Sequence, residues 1–182
     1  FAGLVFAFTP GQSTALSGAQ NGGVFVGMLL VGIVATGFKR GSLRAWVIAG
    51  CLGSAIALYI ISLTGLGWVA LPLTPLVVGL GVFNGMFAVA AIGSMMALAS
   101  QGRTGRTGTR MGLWGAAQAV AAGFGGLTGA AMVDLLRGPL GDGDAFAGVF
   151  LLEAVLFVAA AAMAWRVMGR NVGDRTAMVP GE

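Results

Sequence analysis

The sequence contains no histidine and a single cysteine, Cys51. The first absence removes the commonest general base and metal ligand and excludes His-dependent triads. The second leaves no cysteine pair for a disulfide framework. Neither a P-loop nor a dinucleotide fingerprint occurs, so the residues offer no enzyme chemistry and none is expected. Charge is scarce too, at 9% of residues. A soluble domain this poor in charge would expose one large apolar patch, and that class is excluded.

What the chain does have is apolar length. It is 57% hydrophobic over 182 residues with 33 glycines, and its mean hydropathy is +0.92. This is the composition of an integral membrane protein built from helices. Five apolar segments are expected to cross, at about 15–38, 45–63, 72–99, 111–136 and 145–165, forming one helical bundle over 1–165. The polar tail, 166–182, reads as disordered. Ahead of the first segment, Pro10, Gly11 and Asn21 mark a turn region. Phe1 to Phe8 is apolar without a basic leader, and reads as the end of a helix that starts in a portion not contained here.

The net charge of +4 does not call for nucleic acid, because the basic residues sit in short loops between apolar runs. One set of loops holds Lys39, Arg40 and Arg44, then Arg103, Arg106 and Arg110, and the tail adds Arg166, Arg170 and Arg175. The opposite loops hold Arg137 with Asp134, Asp142 and Asp144. Positive residues mark the cytoplasmic side, so both basic loops and the C-terminus are expected there. A second role for these arginines, attracting anionic lipid or an acidic tail of a partner, is weaker.

Few side chains within the segments carry chemistry. Glu153 is the one acidic residue inside an apolar segment, and an ionisable group at that depth faces a bundle interior or a polar cavity. It could couple protons or give an axial oxygen to a cofactor metal; equally, it could hydrogen-bond a neighbouring helix near the interface. Gln118 and Asn84 are neutral polar groups at membrane depth, where bonding across helices is the more frequent use and lining a ligand cavity the alternative. Trp114, one turn into its segment, reads first as an interface anchor and second as a stacking platform. Gly81 and Gly85, then Gly108, Gly112 and Ala116, then Gly125 and Gly129 form small-xxx-small series. These suit close helix crossing, but a flat ligand would need the same smooth surface.

The string GTRMGLWGAAQAVAAGFGGLTGAAMVDLL, followed by FAGVFLLEAVLFVAAAAMA, resembles the closing two helices of the PucC-like bacteriochlorophyll-delivery family of the major facilitator superfamily. GFKRGSLR resembles a worn form of that superfamily's loop between the second and third helices of each half, lacking its acidic member. The resemblance implies an all-α membrane fold, here the C-terminal half: five transmembrane helices plus the end of a sixth. Carried over by position, the matching residues are Arg110, Gly112, Trp114, Gln118, Gly125, Asp134 and Glu153.

The implied role is assembly of light-harvesting antenna, by delivering or shielding bacteriochlorophyll in a bacterial cytoplasmic or intracytoplasmic photosynthetic membrane. Antenna polypeptides and the reaction-centre complex are the implied partners. With no histidine, the pigment's magnesium would take an oxygen from Glu153, Gln118, Asn84, a backbone carbonyl or water, as suits a hard cation held transiently. The pigment or an antenna helix would lie on a glycine-rich face of the third and fourth segments. Two other classes stay open: a proton-coupled small-molecule transporter, in which Glu153 titrates, and a structural subunit docked to a photosynthetic complex.

Overall fold

The structure is a computed structural model that describes residues 1–37, 41–100 and 107–177. It is all-α, and no strand occurs among the described residues. A short helix, α1 (Ala2–Val5), precedes α2 (Pro10–Val31), which runs on into a π-helical segment, Gly32–Gly37. Then come α3 (Leu43–Gly65), α4 (Leu73–Ser100), α5 (Thr107–Leu140) and α6 (Asp142–Ala177). The five longer helices are each long and apolar enough to cross a membrane.

Several boundaries differ from the sequence expectation. Residues 10–14, expected to lie in a turn region ahead of the segment at about 15–38, are instead the first turns of α2, and Asn21, read as a turn marker, lies inside it. Thr9 caps that helix: its hydroxyl accepts from the Gln12 amide, while the Gln12 side chain accepts from the Thr9 amide. Pro10 stands at the first helical position, where a missing N–H costs nothing. Helix α5 continues through Pro139 to Leu140, so the turn into α6 narrows to Gly141 at φ 87°. There the absence of a Cβ makes the left-handed conformation cheap. Helix α6 begins at Asp142 rather than 145 and extends to Ala177, beyond Trp165 and into the stretch expected to be disordered. Residues 178–182, Lys39, Arg40, Arg103 and Arg106 lie outside the described residues.

Glycine sets the packing of the first four helices. A Cβ on Gly23 would run into the Val78 carbonyl, and one on Gly27 into that of Val82. Reciprocally, Gly81 faces the Gln20 carbonyl and Gly85 the Val24 carbonyl. Helices α2 and α4 thus touch backbone to backbone along two turns each. On the other side of α4, Gly50 of α3 meets the Phe87 backbone and Gly53 lies under the Phe83 ring. Between lipid tails there is no hydrophobic gain from helix association, so this close approach is the driving force.

Helix α3 is the most buried span. It is joined to α6 near both ends. At one, the Arg44 guanidinium stacks 4.3 Å from the Trp165 ring and its Nη2 donates to the Trp165 carbonyl at 2.8 Å. At the other, the Ser62 hydroxyl donates to the Ala147 carbonyl at 3.0 Å. Arg44, expected first as a topology signal, therefore also ties two helices together. Helix α5 differs from all of these: Val133 is its one buried residue among those described.

Substitution tests this division of the glycines. Gly85→Leu should separate α2 from α4 and lower the detergent unfolding midpoint, by the roughly 1–3 kcal/mol that overpacking costs. Gly123→Ala, with nothing within 4 Å of the new methyl, should be neutral or stabilise by up to about 1 kcal/mol through helix propensity.

Candidate functional site

Glu153 stands eleven residues into α6, counted from Asp142. At 1.5 Å per residue this is roughly 16 Å, about half the thickness of a hydrocarbon core. The earlier start of α6 thus carries Glu153 three turns in, deeper than the two turns expected from the sequence. Three adjoining cavities share its side chain. The largest, about 580 Å³, opens between α5 and α6 and is walled by Phe124, Gly125, Thr128 and Gly129 on one helix and by Leu152, Leu156 and Phe157 on the other. A second, about 400 Å³, reaches Asp134 and Arg137 and is bounded on one side by Leu4 of α1. A third, about 270 Å³, brings in Ser17 and Gln20 of α2.

The local sequence explains the shape of the α5–α6 cleft. Gly125 and Gly129 lie four residues apart on one face of α5, and a Cβ at either would meet nothing within 4 Å. Opposite them, Val149, Glu153, Leu156 and Ala160 recur at three- and four-residue spacing along α6. The result is an apolar slot between antiparallel helices with one carboxylate in its wall. Asp134 and Arg137 form an ion pair at 3.4 Å at the end of α5. Both are exposed, so the pair contributes little to stability and leaves that mouth polar.

The other sequence candidates are not gathered around Glu153. Asn84 accepts a hydrogen bond at 2.8 Å through Oδ1 from the Ser54 hydroxyl. This is the cross-helix use of a polar group, between α3 and α4. Gln118 is exposed on α5 and stands eleven residues before Gly129, roughly 16 Å away along the axis. Trp114 is half-buried one further turn back. Among the glycines expected to pack helices, Gly81 and Gly85 meet α2, while Gly112, Gly125 and Gly129 meet no neighbour within 4 Å. The glycine-rich face expected across α4 and α5 is therefore open on α5 alone. Arg110 is exposed near the start of α5.

Ser17 and Gln20 were not singled out from the sequence, because they lie in a polar stretch where the start of the expected segment at about 15–38 overlaps the turn markers Pro10, Gly11 and Asn21. The Thr-x-x-Gln capping signal at Thr9 and Gln12 would have placed them on a helix. With no histidine in the chain, oxygen supplies the hard donors in this region: the Glu153 carboxylate in the wall, then the Thr128 hydroxyl and backbone carbonyls.

The family model described as PUCC protein matches residues 1–172. The chain belongs to the PUCC family. It is also 59% identical over 180 residues to the "Bacteriochlorophyll synthase 44.5 kDa chain" of Rhodobacter capsulatus. That alignment takes in 98% of this PUCC chain and 42% of the relative, so the chain spans less than half of the relative's length. No solved structure matches.

The Ser54–Asn84 bond gives a measurable expectation. Ser54→Ala should lower stability by about 0.6 kcal/mol, and by no more than about 1.7, the range for such bonds between membrane helices. An unfolding series in mild detergent would read it.

Proposed function

We propose that this PUCC protein takes part in assembling bacterial light-harvesting antenna, handling bacteriochlorophyll as it meets the antenna polypeptides and the reaction-centre complex. The observation that carries the reading is the α5–α6 cleft: an apolar slot at mid-membrane depth, with open glycines on one wall and the Glu153 carboxylate on the other. The kinship with a relative whose name concerns bacteriochlorophyll supports the choice of ligand.

The donor set fits such a pigment. Its magnesium is a hard cation that takes oxygen, and Glu153 offers an oxygen directly or through a water. When bound, the macrocycle supplies light absorption and a metal to which that oxygen attaches. The chain's own part is to present Phe124 and the bare backbone at Gly125 and Gly129 as a smooth surface, and to keep water out with Leu152, Leu156 and Phe157. Asn84 is not among the residues that line this cleft, and its carbonyl oxygen accepts from Ser54 between α3 and α4. A single oxygen in an open cleft suits transient holding and release.

In this reading the membrane is the bacterial cytoplasmic or intracytoplasmic photosynthetic membrane. Arg44, Arg110 and the C-terminus face the cytoplasm and meet anionic lipid.

Purification in mild detergent from a phototrophic host, followed by absorption spectroscopy and pigment extraction, tests the proposal. The protein should carry bacteriochlorophyll after antenna polypeptides are removed, and Glu153→Leu should lower the pigment-to-protein ratio about tenfold, the effect of 1.4 kcal/mol. Gln118→Leu should leave it unchanged. A wild-type protein without pigment, or an undiminished ratio in Glu153→Leu, would overturn the reading.

A further inference from the structure

The cleft between α5 and α6 and the second cavity, of about 400 Å³, share Gly125, Gly129, Val149 and Glu153 in their walls. From that shared stretch the second cavity runs on to Asp134 and Arg137. Among the residues lining the two, Arg137 is the only cation. We infer that Arg137 orients the ligand of the cleft, donating hydrogen bonds from its guanidinium to a neutral carbonyl oxygen on the ligand's rim. The inference rests on the pigment reading and deepens it, since a bacteriochlorophyll ring carries such carbonyls at its edge and its metal at its centre. It assigns a second polar contact, apart from Glu153, and with it a basis for choosing among pigments.

Reach, charge and donor count carry it. Arg137 stands eight residues beyond Gly129 on α5, roughly 12 Å along the axis. Side chains on a helix lean toward its N-terminus, which for Arg137 is the direction of the cleft. The 3.4 Å contact of its Nε with Asp134, one turn earlier, shows that lean. A long side chain directed this way and a carboxylate on the facing helix thus line one cavity from its two ends. A ligand that fills the shared stretch meets both.

The charges select the kind of acceptor. Asp134 offsets the charge of the guanidinium, and the Glu153 carboxylate lines the same cavity. An anion there would meet two carboxylates against one cation, so a neutral acceptor is favoured. The guanidinium has five N–H donors in a fixed plane, and a carboxylate takes two of them in its bidentate form. Donors are therefore left over for a ligand. The Thr128 hydroxyl is the one further side-chain donor in the walls of the two cavities. Because the Arg137 side chain is 50% exposed, water competes for it, and the contact contributes as one ordinary hydrogen bond rather than as a buried charged one.

Resonance Raman spectroscopy of the pigment retained after antenna polypeptides are removed tests this, because a carbonyl stretch falls in frequency when its oxygen accepts a hydrogen bond. In the wild type one ring carbonyl should stretch below its frequency in the same pigment dissolved in an aprotic solvent. Arg137→Leu should return that band to the unbonded frequency and lower the pigment-to-protein ratio roughly three- to tenfold, the net worth of one hydrogen bond. Arg137→Lys keeps a donor but loses the planar fork, and should hold the band at an intermediate frequency. A purely structural role for Arg137 would change retention without moving the band. If Arg137→Leu fails to fold, the wild type and Arg137→Lys decide. Pigment retained by the wild type with every carbonyl at its unbonded frequency, or a band still shifted in Arg137→Leu, would overturn the assignment and leave the pigment reading standing. A wild type without pigment overturns both.

Discussion

Everything in this bundle depends on the contact between glycine Cα atoms and carbonyl oxygens where α2 crosses α4. Helices in lipid gain nothing by hiding leucine, since the tails are as apolar as the side chain. What holds them is close approach, through dispersion and weak Cα–H···O contacts worth about 0.5–1 kcal/mol each. Gly23 and Gly27 alternate with Gly81 and Gly85 so that each helix offers a bare backbone where the other offers a carbonyl. Helix α4 is thereby fixed against α2, and Gly50 and Gly53 bring α3 against its other flank. Helix α3 in turn holds α6 through Arg44 with Trp165 and Ser62 with Ala147. The position of Glu153 is the last link in that series.

The bundle is consequently saturated on one side and open on the other. In α2, α3 and α4 the glycines Gly23, Gly27, Gly50, Gly53, Gly81 and Gly85, the buried hydroxyls of Ser54 and Ser62 and the amide of Asn84 are committed to neighbouring helices. In α5 the corresponding resources are uncommitted: bare glycines, an exposed Gln118, and Leu113, Phe124 and Leu135 all more than 70% exposed. The border between these two regimes runs along α6, and Glu153 stands on it. A carboxylate costs least at such a border, where it is held by a fixed helix yet faces space that another group can enter. This arrangement gives the chain's mid-membrane carboxylate a neighbourhood that can change.

Much of the fold was legible in the sequence, because the signals for membrane helices are long and additive. A span needs about twenty apolar residues, and five runs of that kind occur along the chain. The polar turn between the last two spans, with Asp134 and Arg137 beside it, follows from the same pattern. Helix ends were harder to read. Pro10 and Gly11 looked like a turn because proline and glycine usually end helices, yet a proline at the first position with Thr9 as cap begins one. The loop from Arg137 to Asp144 shrank to Gly141 for a related reason: one residue with positive φ suffices to reverse the chain.

The site was less legible, and the glycines explain why. Gly85 and Gly129 look alike in sequence, each at the end of a small-xxx-small pair inside an apolar run. One is pressed against a carbonyl and the other faces open space. Nothing local separates them, because the difference lies in whether a second helix arrives at that face, which only the tertiary arrangement decides. Asn84 and Gln118 differ in the same way: the one is satisfied by a serine thirty residues away, the other is exposed on a helix with little around it. Glu153 was identifiable because its signal does not depend on neighbours. A charge near the middle of a span is expensive wherever the other helices lie, so its presence marks a place where the membrane's uniformity is broken by something polar.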